Sequence, residues 1–218
     1  MSKKTKNYCI RWGLVGLGII FTSIGSAMML KAEIGVGAWD ALAQSLNYTT
    51  GIKVGTLSFL MNLFSIGGQI LLLRSNFKWF NLLQIPIAFS LGSIVNIVLY
   101  DVLADMAMDN YFIRLLFLVS GTVIMSLAIG AMIAAQLISL PVESLCTGIA
   151  ITTKKDFGMV RQAFDIGTLV ITALITLLTQ EAWTIREGTI ISTLILGPLM
   201  GLTVKKVSQF LQDRQIIQ

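Results

Sequence analysis

Histidine is absent from all 218 residues. That removes imidazole-bound zinc and haem, and the commonest general base. Cysteine occurs twice, at Cys9 and Cys146, with no C-x-x-C spacing, so no thiolate metal site or redox pair is expected. The topology argued below puts both on a reducing side, where a bridge is not expected. Charge is equally sparse. Asp, Glu, Lys and Arg make up 12% of the chain, about half the share of an ordinary soluble domain. With 55% hydrophobic residues and a mean hydropathy of +0.81, the chain is neither a water-facing globule nor a disordered segment. The net charge of +5 does not indicate nucleic acid, because the basic residues sit at segment ends and form no stripe. Also missing are a glycine-rich phosphate loop and carboxylates paired along one helix. Ten methionines are spread through the chain and read as core filler rather than copper ligands. No enzyme, metal or cofactor is expected.

What is present is a series of long apolar runs. A helix needs about 20 apolar residues to cross a bilayer core. Uncharged runs cover 12–30, 54–73, 79–100, 115–142 and 188–204, and 157–180 is apolar apart from Arg161 and Asp165. Six crossings with short connections leave no room for a soluble domain. The first run is 19 residues long, above the roughly 7–15 of a signal h-region, and no A-x-A site follows. It reads as a retained helix, and Cys9 precedes it.

Basic residues near span ends set orientation. With the N-terminus inside, Lys3, Lys4, Lys6, Arg11, Arg74, Lys78, Lys154, Lys155, Lys205, Lys206 and Arg214 fall on the inner side, against Lys31, Lys53, Arg114 and Arg186 outside. Both termini are therefore expected on the cytoplasmic side.

Sliding the sequence by 103 residues aligns 18–62 on 121–165 without a gap. Gly18/Gly121, Ser23/Ser126, Met29/Met132, Ala32/Ala135, Leu42/Leu145, Thr49/Thr152, Thr50/Thr153 and Gly55/Gly158 are identical. Asp40/Glu143, Glu33/Gln136 and Asn62/Asp165 are chemically similar. The expected fold is an all-α polytopic membrane protein in one membrane domain. Repeat one spans 1–110 and repeat two 111–218, with three transmembrane helices each. An odd number of crossings inverts the second repeat relative to the first, an arrangement used by transporters. Gly51-Ile52 becomes Lys154-Lys155 in the second copy, as the inversion requires under the positive-inside rule.

Each repeat carries a short extra helix after its first span, at 38–46 and 141–149. Gly35 and Gly37 break the first span, and Pro141 suits a first helical turn. Trp39, Leu42 and Leu46 share one face. Either these helices lie at the membrane surface with Trp39 as an anchor, or they re-enter the bilayer and line a cavity.

The run Gly35-Val36-Gly37-Ala38-Trp39-Asp40, followed by Thr50-Gly51 and Gly55-Thr56, resembles the YczE/YyaS/YitT-type family of small bacterial integral membrane proteins, and most of all its YczE-like branch. The resemblance covers about residues 10–205. The chain departs from the longer YitT-type members in lacking a soluble C-terminal domain. The resemblance implies a bacterial cytoplasmic-membrane protein. It carries over no catalytic residue.

An ionisable residue at mid-membrane costs about 2.5–3.5 kcal/mol on insertion scales and is a functional hypothesis by default. Asp165 lies roughly 12 Å into its helix, with Arg161 one turn before it. The pair is either structural or a site in which Arg161 holds an anionic group while Asp165 orients it or takes a proton. Asp40 and Glu143 are equivalent under the repeat. They either anchor surface helices or approach a central cavity and bind cations or protons. Asn62, Gln44, Asn96, Ser58, Gln69 and Gln162 complete the candidate polar groups. The function expected is a small secondary transporter or permease acting on a small molecule or ion. The alternatives are a substrate-capture subunit of an ATPase-energised importer and a non-transporting scaffold or regulator. The expected surroundings are lipid, with no nucleic acid; a homo-oligomer stays open.

Overall fold

The computed structural model describes residues 3–217; Met1, Ser2 and Gln218 lie outside the described residues. The described elements are helical. They are α1 (Lys3–Ala32), α2 (Ala38–Thr50), α3 (Val54–Leu73), α4 (Gln84–Ile97), α5 (Tyr111–Ala134), α6 (Pro141–Thr153), α7 (Phe157–Thr179) and α8 (Glu187–Asp213). Two 3-10 turns, Arg74–Asn76 and Trp79–Leu83, join α3 to α4, and a π turn, Val98–Val102, extends α4. Six of these segments are long and apolar enough to cross a membrane. The chain is a multi-pass membrane protein.

The expected spans need one correction. The fourth does not run through 142. Helix α5 stops at Ala134, and Gln136 takes a φ of 50°, so the last apolar residues of that run belong to a connection and to α6. Both short helices also run four residues further than expected, to Thr50 and Thr153.

One end of the bundle holds both ends of the described chain. Asn7 Nδ2 donates to Gln215 O at 2.7 Å, and Arg11 Nε donates to Ala135 O at 2.7 Å. Call this the terminal end. At the far end, Lys31 Nζ donates to Ala104 O at 3.0 Å and Arg186 Nη1 to Glu33 O at 2.6 Å.

Helices α1 and α5 form the central pair. Without a hydrophobic force between helices in lipid, close contact through small residues does the packing. Gly18 lies under the side chain of Met132, and Gly121 lies under Met29, with Gly25 facing Gly121 backbone to backbone. The 103-residue offset carries Gly18/Met132 onto Gly121/Met29. It also carries α2 onto α6, the start of α3 onto that of α7, and the positive φ of Glu33 and Gly51 onto those of Gln136 and Lys154. The correspondence has a limit. Helix α4 packs on α1 and α3, whereas its counterpart α8 packs mainly on α5.

The short helices are not surface anchors. After α1 the chain turns back at Gly35, whose φ of 108° suits glycine and whose missing Cβ admits Thr189 of α8. Helix α2 then starts at mid-depth. Asp40 meets Ser26, six residues before the end of α1, and Trp39 packs on Phe164, about 10 Å along α7. It finishes toward the far end, where Ser45 sits 3.4 Å from Thr176. Helix α6 runs the opposite way along α3, with Leu145 over Gly68 and Gly148 beside Leu72 and Leu73. Both short helices begin inside the bundle and end at opposite ends of it. The most buried residues of α2 are Ala38, Asp40, Ala41, Ala43, Gln44 and Ser45, rather than the Trp39/Leu42/Leu46 face, because small residues permit contact with α3 and α7.

Candidate functional site

The charged centre is built from α6 and α7. Asp156 caps α7, accepting from the backbone N–H groups of Gly158 and Met159, and this fixes where the helix starts. Arg161 and Asp165 follow one turn apart on one face. Arg161 Nη1 donates to Asp165 Oδ1. Arg161 Nη2 also lies 4.0 Å from Glu143 Oε1, in the first turn of α6. One cation thus stands between two carboxylates. All three side chains are largely withdrawn, the least exposed being Glu143 at 12%. Trp39 closes the neighbouring space with its ring 5.7 Å from that of Phe164, and its buried Nε1 has no hydrogen-bond partner among the described residues.

Asp40 is turned elsewhere. It follows Trp39 by one residue, which rotates it about 100° around the helix, toward α1. There Ser26 Oγ donates to Oδ2 at 3.1 Å. Asp40 is 8% exposed and forms no ion pair among the described residues. Thr22, one turn before Ser26, is also buried, and its hydroxyl has no partner among the described residues.

The other candidate residues separate into distinct roles. Asn96 accepts from Gly55 N at 2.9 Å and donates to Thr56 Oγ1 at 3.1 Å, so it locks the start of α3 to α4. Asn62 and Gln44 are buried and belong to neither carboxylate cluster. Ser58 is half-buried and Gln162 exposed. Gln69 enters a third cluster, donating to Gln84 Oε1 at 2.9 Å and to Pro141 O at 3.0 Å, while Gln84 donates to Ser144 Oγ at 2.8 Å. This amide chain ties the start of α6 to α3 and α4.

Two clefts open at the ends of the bundle. One, about 260 Å³, is lined by Ile70, Arg74, Ser75, Phe77 and Trp79. The other, about 340 Å³, lies at the far end and includes Gln44 and Tyr48. Neither is lined by Asp165, Arg161, Asp40 or Glu143, so the expected central polar cavity is not one of them. The triad is packed between helices.

Sequence reasoning singled out Arg161, Asp165 and Glu143, which the fold brings together. It did not join Glu143 to the other two, because they are on different helices. It missed Ser26, Gln84 and Ser144. Thr22 and Ser26, one turn apart in an otherwise apolar helix, were the legible signal for the first of these.

No curated protein and no solved structure matches the chain. A family model described as a family of unknown function, DUF6198, matches residues 9–205. The chain belongs to that family.

Proposed function

We propose that this chain is a small secondary transporter of the bacterial inner membrane, built from two inverted repeats, with both termini cytoplasmic. The observation that carries the reading is the paired packing of Gly18 on Met132 and Gly121 on Met29, together with two short helices that start at mid-depth and leave toward opposite ends. Alternating access needs two near-equivalent halves around a central site, and a scaffold has no such need. The unequal packing of α4 and α8 fits one state of such a device. Kinship with the YczE/YyaS/YitT group remains part of the proposal and rests on the Gly35–Asp40 run. The chain is proposed to be no enzyme.

The triad supplies a mechanism. Arg161 is saturated by Asp165 and Glu143, so an anionic group competes poorly for it while both are ionised. A proton taken from one aqueous side by either carboxylate removes one negative charge and frees one face of the guanidinium. An anionic group then binds there, and both leave together when the proton departs to the other side. Asp40, with its single hydroxyl donor, is a second place for a proton on the same route.

The test is proteoliposomes holding a pH-sensitive dye, with an imposed pH gradient and a panel of small organic anions. At least one anion should drive proton entry in the unmodified protein and none in Asp165→Asn. Silence across the panel in well-folded protein would favour a scaffold or regulator, a reading the close packing around the triad supports. Copurification with an ATPase would favour a substrate-capture subunit.

A further inference from the structure

The far-end cleft is distinct from the triad. Its walls are the end of α1, the second half of α2, the start of α3 and the π turn after α4. The π turn that ends this helix delivers Leu99 and Tyr100 to the cleft. The cleft measures about 340 Å³, within the roughly 300–1,000 Å³ of small-molecule sites.

Its polar groups are unevenly satisfied. Asn47 Nδ2 is committed to Ile52 O, and the Tyr100 hydroxyl accepts from Val54 N. Glu33 is paired with Arg114 at 3.4 Å. Lys31, by contrast, has a single backbone acceptor, Ala104 O, and no carboxylate partner among the described residues. Gln44 lies at the cleft, is only 8% exposed, and makes no hydrogen bond among the described residues. Its amide atoms are not among the buried polar atoms left without a partner, so they open onto the cleft and are free to meet a polar occupant. Tyr48 remains a phenol, because burial and the Glu33 carboxylate push its pKa up against the opposing pull of Arg186. Asp101 and Asp105 are exposed and do not line the cleft.

The unpaired charge is therefore positive, the unpaired amide adjoins it, and the Tyr48 ring supplies an apolar wall beside Tyr100, whose ring carries the Lys53 ammonium 5.2 Å from its centroid. We propose that this cleft binds a small organic carboxylate, with the anion on Lys31, a hydrogen bond from Gln44, and the organic part against Tyr48 and Tyr100. Glu33 repels no ligand anion strongly, since Arg114 compensates it. The inference does not require transport, because it concerns equilibrium binding.

Benzoate, benzamide and benzylamine share one shape and differ in charge, which makes them the probes. Calorimetric titration of each into the full-length purified protein in lipid nanodiscs is the experiment. Benzoate is expected to bind at least about tenfold more tightly than benzamide, with benzylamine weakest. Lys31→Met should remove benzoate binding and Lys31→Arg should restore it. Gln44→Leu should weaken it about tenfold. If Gln44→Leu fails to fold, Tyr48→Ala replaces it and should give a similar loss. Equal binding of the three probes overturns the proposal, as does unchanged benzoate binding in Lys31→Met. No benzoate binding at about 10 mM overturns it too. Proton flux in the vesicles tests the transport reading separately, and either can fail without the other.

Discussion

Met132 of α5 packs into the space left by the missing side chain of Gly18 on α1. The 103-residue offset turns this contact into that of Met29 with Gly121. The proposed inverted repeat, packing on itself about an axis across the two helices, would make each such contact twice. The first prediction is drawn from that crossing. A side chain at Gly121 would meet Gly25 O, Met29 and Met28. Gly121→Val should destabilise the protein by on the order of 2 kcal/mol, as overpacking does. Gly13→Ala, where nothing lies within 4 Å, should leave the melting temperature unchanged or raise it slightly. Thermal unfolding in detergent distinguishes the two, and equal effects would argue against the close crossing.

The triad predicts non-additive energetics. Arg161→Ala leaves Glu143 and Asp165 facing each other without a cation. Breaking a fully buried pair costs about 3–5 kcal/mol, and this part-buried pair should cost less than that. Combining Arg161→Ala with Asp165→Ala should cost less than the two single losses added. A double-mutant cycle followed by melting measures the coupling, and strict additivity would remove the interaction.

Asp40 predicts a separation of stability from activity. Its carboxylate is buried with one donor, Ser26, and no cation. Asp40→Asn keeps the shape and the acceptor oxygen while removing a charge that is expensive to bury. It should be as stable as the unmodified protein or more so, yet lower proton-linked flux. Ser26→Ala should cost about 1 kcal/mol through the lost hydrogen bond. A large loss of stability in Asp40→Asn would mean that the charge itself holds α2 to α1.

Orientation has its own test. With Cys9 and Cys146 replaced, single cysteines at Asp105 and Lys155, both exposed, report opposite ends of the bundle. A membrane-impermeant thiol reagent on intact cells should label position 105 and spare 155. The reverse pattern would invert the topology.

The number of spans, the polarity of their ends and the offset of 103 residues are properties of composition and spacing. They follow from hydropathy and from the positions of Lys, Arg and glycine, and needed no coordinates. The Arg161–Asp165 pair was equally legible, since four residues make one helical turn. Three things depended on tertiary structure. The direction of α2 and α6 did, because an apolar helix of 13 residues suits either a membrane surface or a bundle interior. Only contacts such as Trp39 on Phe164 decide between them. The addition of Glu143 to the triad did too, since Glu143 and Arg161 meet across two helices and no local periodicity relates them. The separation of Asp40 from that triad follows from neighbouring residues on a helix pointing about 100° apart. Trp39 faces α7 and Asp40 faces α1, and which helix stands on each side is a matter of packing alone.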